Sequence, residues 1–208
     1  MVKKIILTMV LSACILFTVE GQHKTSALSN SGTRIHDDVL GISFAKIGSV
    51  SKLDNSTYRI SLSTENSPVQ SAIATVSLSD RLFIDLPGSY GGRVYLDSPA
   101  GLKLLKNRMK VDTVNISGRN FRREYWAVYA GMGMWDCVIN CYSKEYGKYY
   151  IVSLVQDKPV GKPGMIVGGK QITSDEMKSK AVVSLQDTTN GIINKFNNLI
   201  SSLQIQNK

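Results

Sequence analysis

Short stretches in which apolar and polar residues alternate recur between residues 57 and 156, and this alternation limits the fold more than any other feature of the sequence. Side chains in a β-strand point alternately to the two faces of a sheet, so a period of two indicates strands with one buried face. Turn-forming residues between the stretches predict hairpins, and hence a mostly antiparallel sheet. The clearest stretches are TYRISLST (57–64), SAIATVSLS (71–79), REYWAVYAGM (123–132), WDCVINCYS (135–143) and KYYIVSLVQ (148–156).

A short helix is predicted to begin after Ser98, because serine caps a helix N-terminus and the following Pro99 suits the first helical position. Apolar residues fall on one face of this helix and lysines on another. The apolar residues are Leu102, Leu105 and Met109, and the lysines are Lys103, Lys106 and Lys110. The pattern predicts a short amphipathic helix with a basic outer face.

A second helix pattern lies at the C-terminal end. Thr173 and Glu176 fit a capping box, in which the two side chains bond to each other's backbone amides. Apolar residues then recur close to the helical period of 3.6: Ala181, Leu185, Ile192, Phe196, Leu199 and Leu203. We therefore expect an α+β fold: a mostly antiparallel sheet with a short amphipathic helix and a long C-terminal helix packed on one face.

This order of elements resembles the PsbP-like fold, which is named for an extrinsic subunit of the oxygen-evolving photosystem. The resemblance rests on the strand-rich body, the long hairpin around residues 125–156 and the closing helix text FNNLISSL (196–203). It covers roughly residues 35 to 206 and includes no diagnostic motif. It implies a binding, assembly or accessory protein of the kind found among small exported bacterial proteins, and it assigns no functional residue.

The N-terminus has the pattern of a secretory signal peptide. Lys3 and Lys4 precede an apolar run from Ile5 to Val19, which is shorter than a membrane span requires. Cleavage near Gly21 would leave residues 22–34 as a polar, flexible linker and 35–206 as a single α+β domain. The protein is expected to be exported to the periplasm or secreted, with no transmembrane span in the mature chain.

The alternative at the N-terminus is a bacterial lipoprotein signal. Residues 11–14, LSAC, resemble a lipobox, in which Cys14 would be lipidated and become the new N-terminus. The apolar residues 15–19 would then remain on the mature chain, which argues for simple cleavage near Gly21. The protein leaves the cytoplasm in either case.

The formal net charge of +9 favours acidic partners. Basic residues gather in the predicted helix and in the strand region that follows: Lys103, Lys106, Arg108, Lys110, Arg119, Arg122 and Arg123. This candidate patch suits a protein partner or an anionic envelope component, either a lipid head group or a polysaccharide. Nucleic acid is not an expected partner of an exported protein.

No pattern in the sequence assigns a catalytic, cofactor-binding or metal-binding residue. Of the two histidines, His23 lies in the predicted linker. The other, His36, is followed by Asp37 and Asp38, and we interpret this group as a solvated turn rather than a metal site. We therefore expect a non-catalytic exported cell-envelope protein that acts as a binding, assembly or accessory module. The alternative is a secreted hydrolase with a carboxylate site that the sequence does not reveal.

Cys137 and Cys141 are four residues apart in a predicted strand, where they share one face with Trp135 and Ile139. Four residues of strand span about 13 Å, whereas a disulfide requires Cα atoms roughly 4.4–6.8 Å apart. A zinc site would require more ligands than these two thiols. The pair is interpreted as core packing, and an intermolecular disulfide is the alternative.

Overall fold

The structure is a computed structural model that describes residues 33–64, 71–86, 92–131, 134–156, 166–167, 170–171, 173–184 and 191–206. The helices are α1 (Pro99–Leu104), which continues as a 3₁₀ turn (Leu105–Asn107), α2 (Ser174–Ser184) and α3 (Gly191–Ser202). The strands are β1 (Arg34–Asp37), β2 (Ile42–Ala45), β3 (Ser49–Asp54), β4 (Thr57–Ser63), β5 (Ser71–Ser79), β6 (Phe83–Asp85), β7 (Arg93–Tyr95), β8 (Arg108–Ile116), β9 (Arg119–Gly131), β10 (Met134–Glu145), β11 (Lys148–Gln156), β12 (Ile166–Val167), β13 (Lys170–Gln171) and β14 (Gln204–Ile205).

Seven strands form the main sheet in the order β3-β4-β5-β11-β10-β9-β8. Every neighbouring pair is antiparallel, as the alternation predicts. Most neighbours are also consecutive in the chain, whereas β5 pairs with the distant β11. The α+β class with a mostly antiparallel sheet is therefore confirmed.

One face of the main sheet carries the larger hydrophobic core. The helix α3 and the small sheet β1-β2-β14 cover it, with Phe196, Leu199 and Phe44 among the buried side chains. Cys137 and Cys141 lie in this core, on the same face as Trp135 and Ile139. The strand periodicity therefore placed the side chains of β10 on the correct faces.

A smaller core lies on the opposite face, under the β6–β7 hairpin and α1. Its buried residues are Ile84, Leu96, Trp126, Val128, Val138 and Val155. Leu104 of α1 packs against this cluster. Both faces of the central strands are thus covered, so polar residues on the second face are buried as well.

The helices differ in length from those that the sequence predicts. As expected, Ser98 caps α1, and its hydroxyl accepts a hydrogen bond from the Gly101 amide at 3.1 Å. The helix ends at Leu104, however, so Met109 and Lys110 belong to β8. The single long C-terminal helix is not confirmed: α2 has 11 residues and α3 has 12, and residues 185–190, which include the predicted stripe residue Leu185, lie outside the described residues.

The capping box at the start of α2 is confirmed. The Thr173 amide donates to a Glu176 carboxylate oxygen at 2.7 Å, and the Glu176 amide donates to the Thr173 hydroxyl at 3.3 Å. The predicted signal peptide (1–21), Cys14 and all but the last two residues of the predicted linker lie outside the described residues. Within the described ranges, no helix is both long enough and apolar enough to cross a membrane.

Candidate binding surface

The basic residues of the predicted patch are divided between the two faces of the main sheet. A register shift in the β8–β9 pairing separates Arg108, which lies opposite Trp126, from Lys110, which lies opposite Tyr125. Arg108 therefore shares a face with the smaller core, whereas Lys110 shares a face with the larger one. Because these residues are close in the sequence, one patch was predicted. The sequence does not reveal the β-bulge that separates them.

Arg108 and Arg122 meet at Glu124, a carboxylate that is 0% exposed. Oxygen Oε1 of Glu124 accepts hydrogen bonds from Arg108 at 3.1 Å, from Arg122 at 2.8 Å and from the Tyr142 hydroxyl at 3.2 Å. Burial and the adjacent Glu124 charge raise the pKa of Tyr142 to about 12. A buried carboxylate requires such partners because desolvation of an unpaired charge is costly, so Glu124 fixes both arginines at this edge of the sheet.

Arg123 and Lys110 meet at Asp112 on the other face. Two nitrogens of Arg123 donate to the two Asp112 oxygens at 2.7 and 2.9 Å, and the Lys110 amine lies 3.7 Å from Asp112. The hydrogen bond from Arg123 lowers the pKa of Asp112. Both cations also lie over the Tyr125 ring, at 5.5 and 5.4 Å. Asp112 thus neutralises part of the charge that the sequence assigned to the patch.

The other three residues of the predicted patch lie apart from these two clusters. Lys103 on α1 and Lys106 on the 3₁₀ turn are exposed. No ion pair joins either lysine to an acidic residue in the described part of the chain. Arg119 lies at the start of β9, beside the β8–β9 turn. Lys103 and Lys106 are therefore the patch residues with the most charge to offer a partner.

Four large apolar side chains are exposed between these cations. Leu102 is 58% exposed, Leu105 37%, Met109 38% and Val111 40%. The helical pattern predicts that the first three of them share one apolar face, yet α1 packs on the protein through Gly101 and Leu104. We call residues Leu102–Val111 the amphipathic surface. It contains four basic residues and no acidic residue. Arg108 and Lys110 are paired with Glu124 and Asp112, so Lys103 and Lys106 supply the charge that has no ion pair in the described ranges.

A row of buried polar residues crosses the second face of the sheet, and sequence reasoning missed it. The row follows the strand register from Thr75 through Ser153 and Asn140 to Glu124. The Thr75 and Ser153 hydroxyls lie 2.6 Å apart, and the Asn140 amide donates to the Phe83 carbonyl at 3.0 Å. The alternation did place these residues on the polar side of their strands. The alternation did not predict that β6, β7 and α1 would cover the polar side of these strands.

Three acidic side chains are buried in the described residues, Asp37, Glu124 and Asp136, and the first two lie in separate clusters. Asp37 accepts hydrogen bonds from the Lys52 amine and the Tyr58 hydroxyl, at the β1 end of the fold, whereas Glu124 faces the arginines on the other side of the sheet. These two carboxylates do not converge, so they do not form the acid–base pair of a hydrolase. In the described part of the chain, no three or more His, Cys, Asp or Glu residues are grouped to hold a metal ion.

Cys137 and Cys141 are free thiols with fully buried side chains. Burial raises the pKa of Cys141 to about 12 and that of Cys137 well above its ordinary range. Thiols are reactive as thiolates, so burial and the raised pKa keep both cysteines in the less reactive thiol form. The interpretation as core packing is confirmed, and neither sulfur is at the surface for an intermolecular disulfide.

These features define an α+β protein with a seven-stranded antiparallel sheet and an exposed basic and apolar segment at one edge. No family model and no curated protein matches the sequence.

The solved structures that are similar to this chain include the following two. A crystal structure from Bacteroides thetaiotaomicron has 12% sequence identity and a TM-score of 0.40, and the match covers 85% of this chain and 49% of that chain. The chain therefore spans about half the length of that structure. The solution structure of the PsbP protein of the cyanobacterium Synechocystis (CyanoP) has 12% identity and a TM-score of 0.32, covering 83% of this chain and 91% of that chain. The sequence-based resemblance to the PsbP-like fold therefore has a weak counterpart among solved structures, which concerns the fold alone and assigns no residue or role to this chain.

Proposed function

We propose that this chain is a non-catalytic, exported cell-envelope protein that works as a binding, assembly or accessory module. Its expected export rests on the N-terminal pattern of two lysines followed by an apolar run. The amphipathic surface carries the binding function. In this proposal it contacts an anionic lipid surface rather than a polysaccharide or a protein.

The observation that carries this proposal is the mixture of exposed leucines and lysines in one short segment. Leu102 and Leu105 are exposed beside Lys103 and Lys106, and no acidic residue lies between Leu102 and Val111. Cations alone would suit an acidic polysaccharide. Exposed apolar side chains between cations suit a bilayer, because lysines attract anionic head groups while leucines enter the head-group region.

The lysines that carry the attraction are those without acidic partners in the described ranges. Arg122 and Arg123 are held by Glu124 and Asp112, whereas Lys103 and Lys106 extend from α1 and the 3₁₀ turn into solvent. Each lysine near an anionic membrane surface contributes about 1 kcal/mol. Reversal of both charges is therefore expected to weaken membrane binding strongly.

The test uses the chain from Gln22, the expected mature N-terminus, with two kinds of vesicle. We expect sedimentation with phosphatidylglycerol–phosphatidylcholine vesicles but not with phosphatidylcholine alone, and weaker binding as salt is added. Replacement of Lys103 and Lys106 by Glu should weaken binding by at least about tenfold. Replacement of Leu102 and Leu105 by Ser should weaken it at every salt concentration.

The matched control replaces Lys46 and Lys180 by Glu, which changes the net charge equally at exposed lysines elsewhere. This variant should retain most of the vesicle binding. Equal loss in both double variants would mean that total charge, rather than the amphipathic surface, drives binding. Binding to an acidic polysaccharide but not to vesicles, or to neither, would contradict the proposed partner.

A further inference from the structure

A surface pocket lies at the end of the main sheet where the β10–β11 hairpin turns. Its volume is ≈ 290 Å³. Tyr146 and Tyr150 line it together with Leu40 and Leu78, so most of its wall is apolar or aromatic. Small-molecule sites in proteins are typically concave and apolar, with a few polar groups that fix the ligand. A pocket of this volume suits a small ligand that contains about one ring.

Tyr146 has a backbone conformation that its side chain does not favour. It forms the tip of the β10–β11 hairpin with Gly147, at φ +51° and +81°. A left-handed conformation costs an L-residue roughly 1–2 kcal/mol, and this kind of hairpin turn prefers Asn, Asp or Gly. The β8–β9 hairpin has the same turn geometry with Ser117 and Gly118, at φ +50° and +78°. The turn itself therefore does not require a tyrosine.

The side chain of Tyr146 also makes little contact with the fold. It is 73% exposed, and Val39, which also lines the pocket, is 74% exposed. These are the two most exposed large apolar side chains in the described residues. Tyr146 therefore holds an exposed aromatic ring at this pocket, in a turn that does not require one.

The polar groups of the pocket indicate a neutral ligand. Glu145 and Lys148 carry opposite charges and line the pocket together with Gln206. Glu145 accepts a hydrogen bond from the Ser143 hydroxyl at 3.2 Å, and the Lys148 amine lies 3.9 Å from exposed Asp80. The carboxylate accepts hydrogen bonds, the amine donates them, and the amide does both. A ligand with several hydroxyl groups would satisfy all three.

We propose that this pocket binds a neutral sugar ring. The C–H face of the sugar would lie against the Tyr146 ring, while its hydroxyl groups would reach Glu145, Lys148 and Gln206. Aromatic side chains offer a broad apolar face with few rotatable bonds, which suits stacking on a ring. The site is separate from the amphipathic surface, so its function does not depend on membrane binding.

Saturation-transfer NMR on the full chain tests this inference. The probes are glucose, galactose, mannose and N-acetylglucosamine, first as free sugars, then as oligosaccharides and as glycolipid head groups in vesicles. We expect transfer to the ring C–H protons of at least one neutral sugar. Preference for the free, polymeric or lipid-linked form identifies the source of the ligand.

The decisive variant is Tyr146→Ser, because Ser117 shows that serine fits the same turn. The fold should be retained, and sugar affinity should fall by at least about tenfold. Tyr129→Ser, at another exposed tyrosine, should leave sugar binding unchanged. No transfer to any neutral sugar, or unchanged binding in Tyr146→Ser, would overturn the proposal. Vesicle binding through the amphipathic surface should be the same in Tyr146→Ser.

Discussion

Asp37 connects the turn after β1 to two strands of the main sheet. One oxygen accepts from the Val39 and Leu40 amides, each at 3.0 Å. The other accepts from the Lys52 amine at 2.5 Å and the Tyr58 hydroxyl at 2.7 Å. From the sequence, the same residue reads as part of a solvated turn. Its side chain is buried instead, and its role is to hold β1, β3 and β4 together.

The hydrogen bonds to Asp37 predict a dependence of stability on pH. Burial alone would raise its pKa, but the bonds from Lys52, Leu40 and Tyr58 outweigh burial and lower the pKa from 3.8 to about 2. Because the pKa is lower in the folded protein, this contribution is complete above the ordinary pKa and is lost as pH falls through the range from about 4 to about 2.

We expect Asp37→Asn to lower the free energy of unfolding by about 2 kcal/mol at neutral pH, and by much less near pH 2. Urea denaturation across this pH range measures both values. The exposed neighbour Asp38, replaced by Asn, is the matched control and should change stability little. The same loss for Asp37→Asn at both ends of the range would contradict the role of its charge.

At the scale of elements, α1 shows how one glycine decides which helix face is buried. A Cβ atom at Gly101 would lie 2.1 Å from the Tyr95 carbonyl oxygen and 2.5 Å from the Leu96 Cα. The backbone of α1 therefore lies directly on the chain that follows β7, and Leu102 points to solvent. The helical spacing of the leucines predicted that their face of α1 would be buried. Because the backbone packs closely at Gly101, that face is exposed instead.

Gly101→Ala tests this packing, because helix propensity alone favours alanine by about 1 kcal/mol. We expect the variant to be less stable by roughly 1–3 kcal/mol, since the added methyl group meets backbone that cannot move aside. Thermal unfolding measures the change. Ala100→Ser, at the exposed preceding position, should shift the transition much less. A more stable Gly101→Ala protein would show that α1 does not pack this way.

The β9–β10 pair shows what strand alternation does and does not predict. It placed Cys137, Ile139 and Cys141 on one face and Val138 and Asn140 on the other, as the structure has them. It also indicated that the polar face would meet water. In the structure, Asn140 and Glu124 on that face are buried. The β6–β7 hairpin and α1, which are distant in the sequence, cover them.

At the scale of the whole molecule, the order of strands sets how stability is distributed. Strand β11 lies between β5 and β10, and both faces of its residues 151–155 are buried. The edge strands β3 and β8 each have one neighbour, and their residues are mostly exposed. Edge strands risk pairing with other chains. Here a register shift interrupts the pairing of each edge strand, and lysines lie on both.

Hydrogen exchange should follow this order. We expect amides of residues 151–154 in β11 to exchange at least about a hundredfold more slowly than those of β3, because they open only when the whole sheet opens. Two-dimensional NMR after transfer into heavy water measures the difference. Amides of β8 serve as the second edge for comparison. Equal protection in β3 and β11 would contradict the order of strands or the exposure of the edge.

Local patterns in the sequence determined the strands of the main sheet, the cap of α1, the capping box of α2 and the inward direction of both cysteines. Each of these depends on neighbours within a few residues, where periodicity and hydrogen-bond geometry decide the outcome. Tertiary structure alone decided the pairing of β5 with β11, the division of the basic patch between two faces, the burial of Glu124 and the exposure of Leu102. These features depend on contacts between residues far apart in the chain, and a local pattern shows that a face is apolar or polar without showing what covers it.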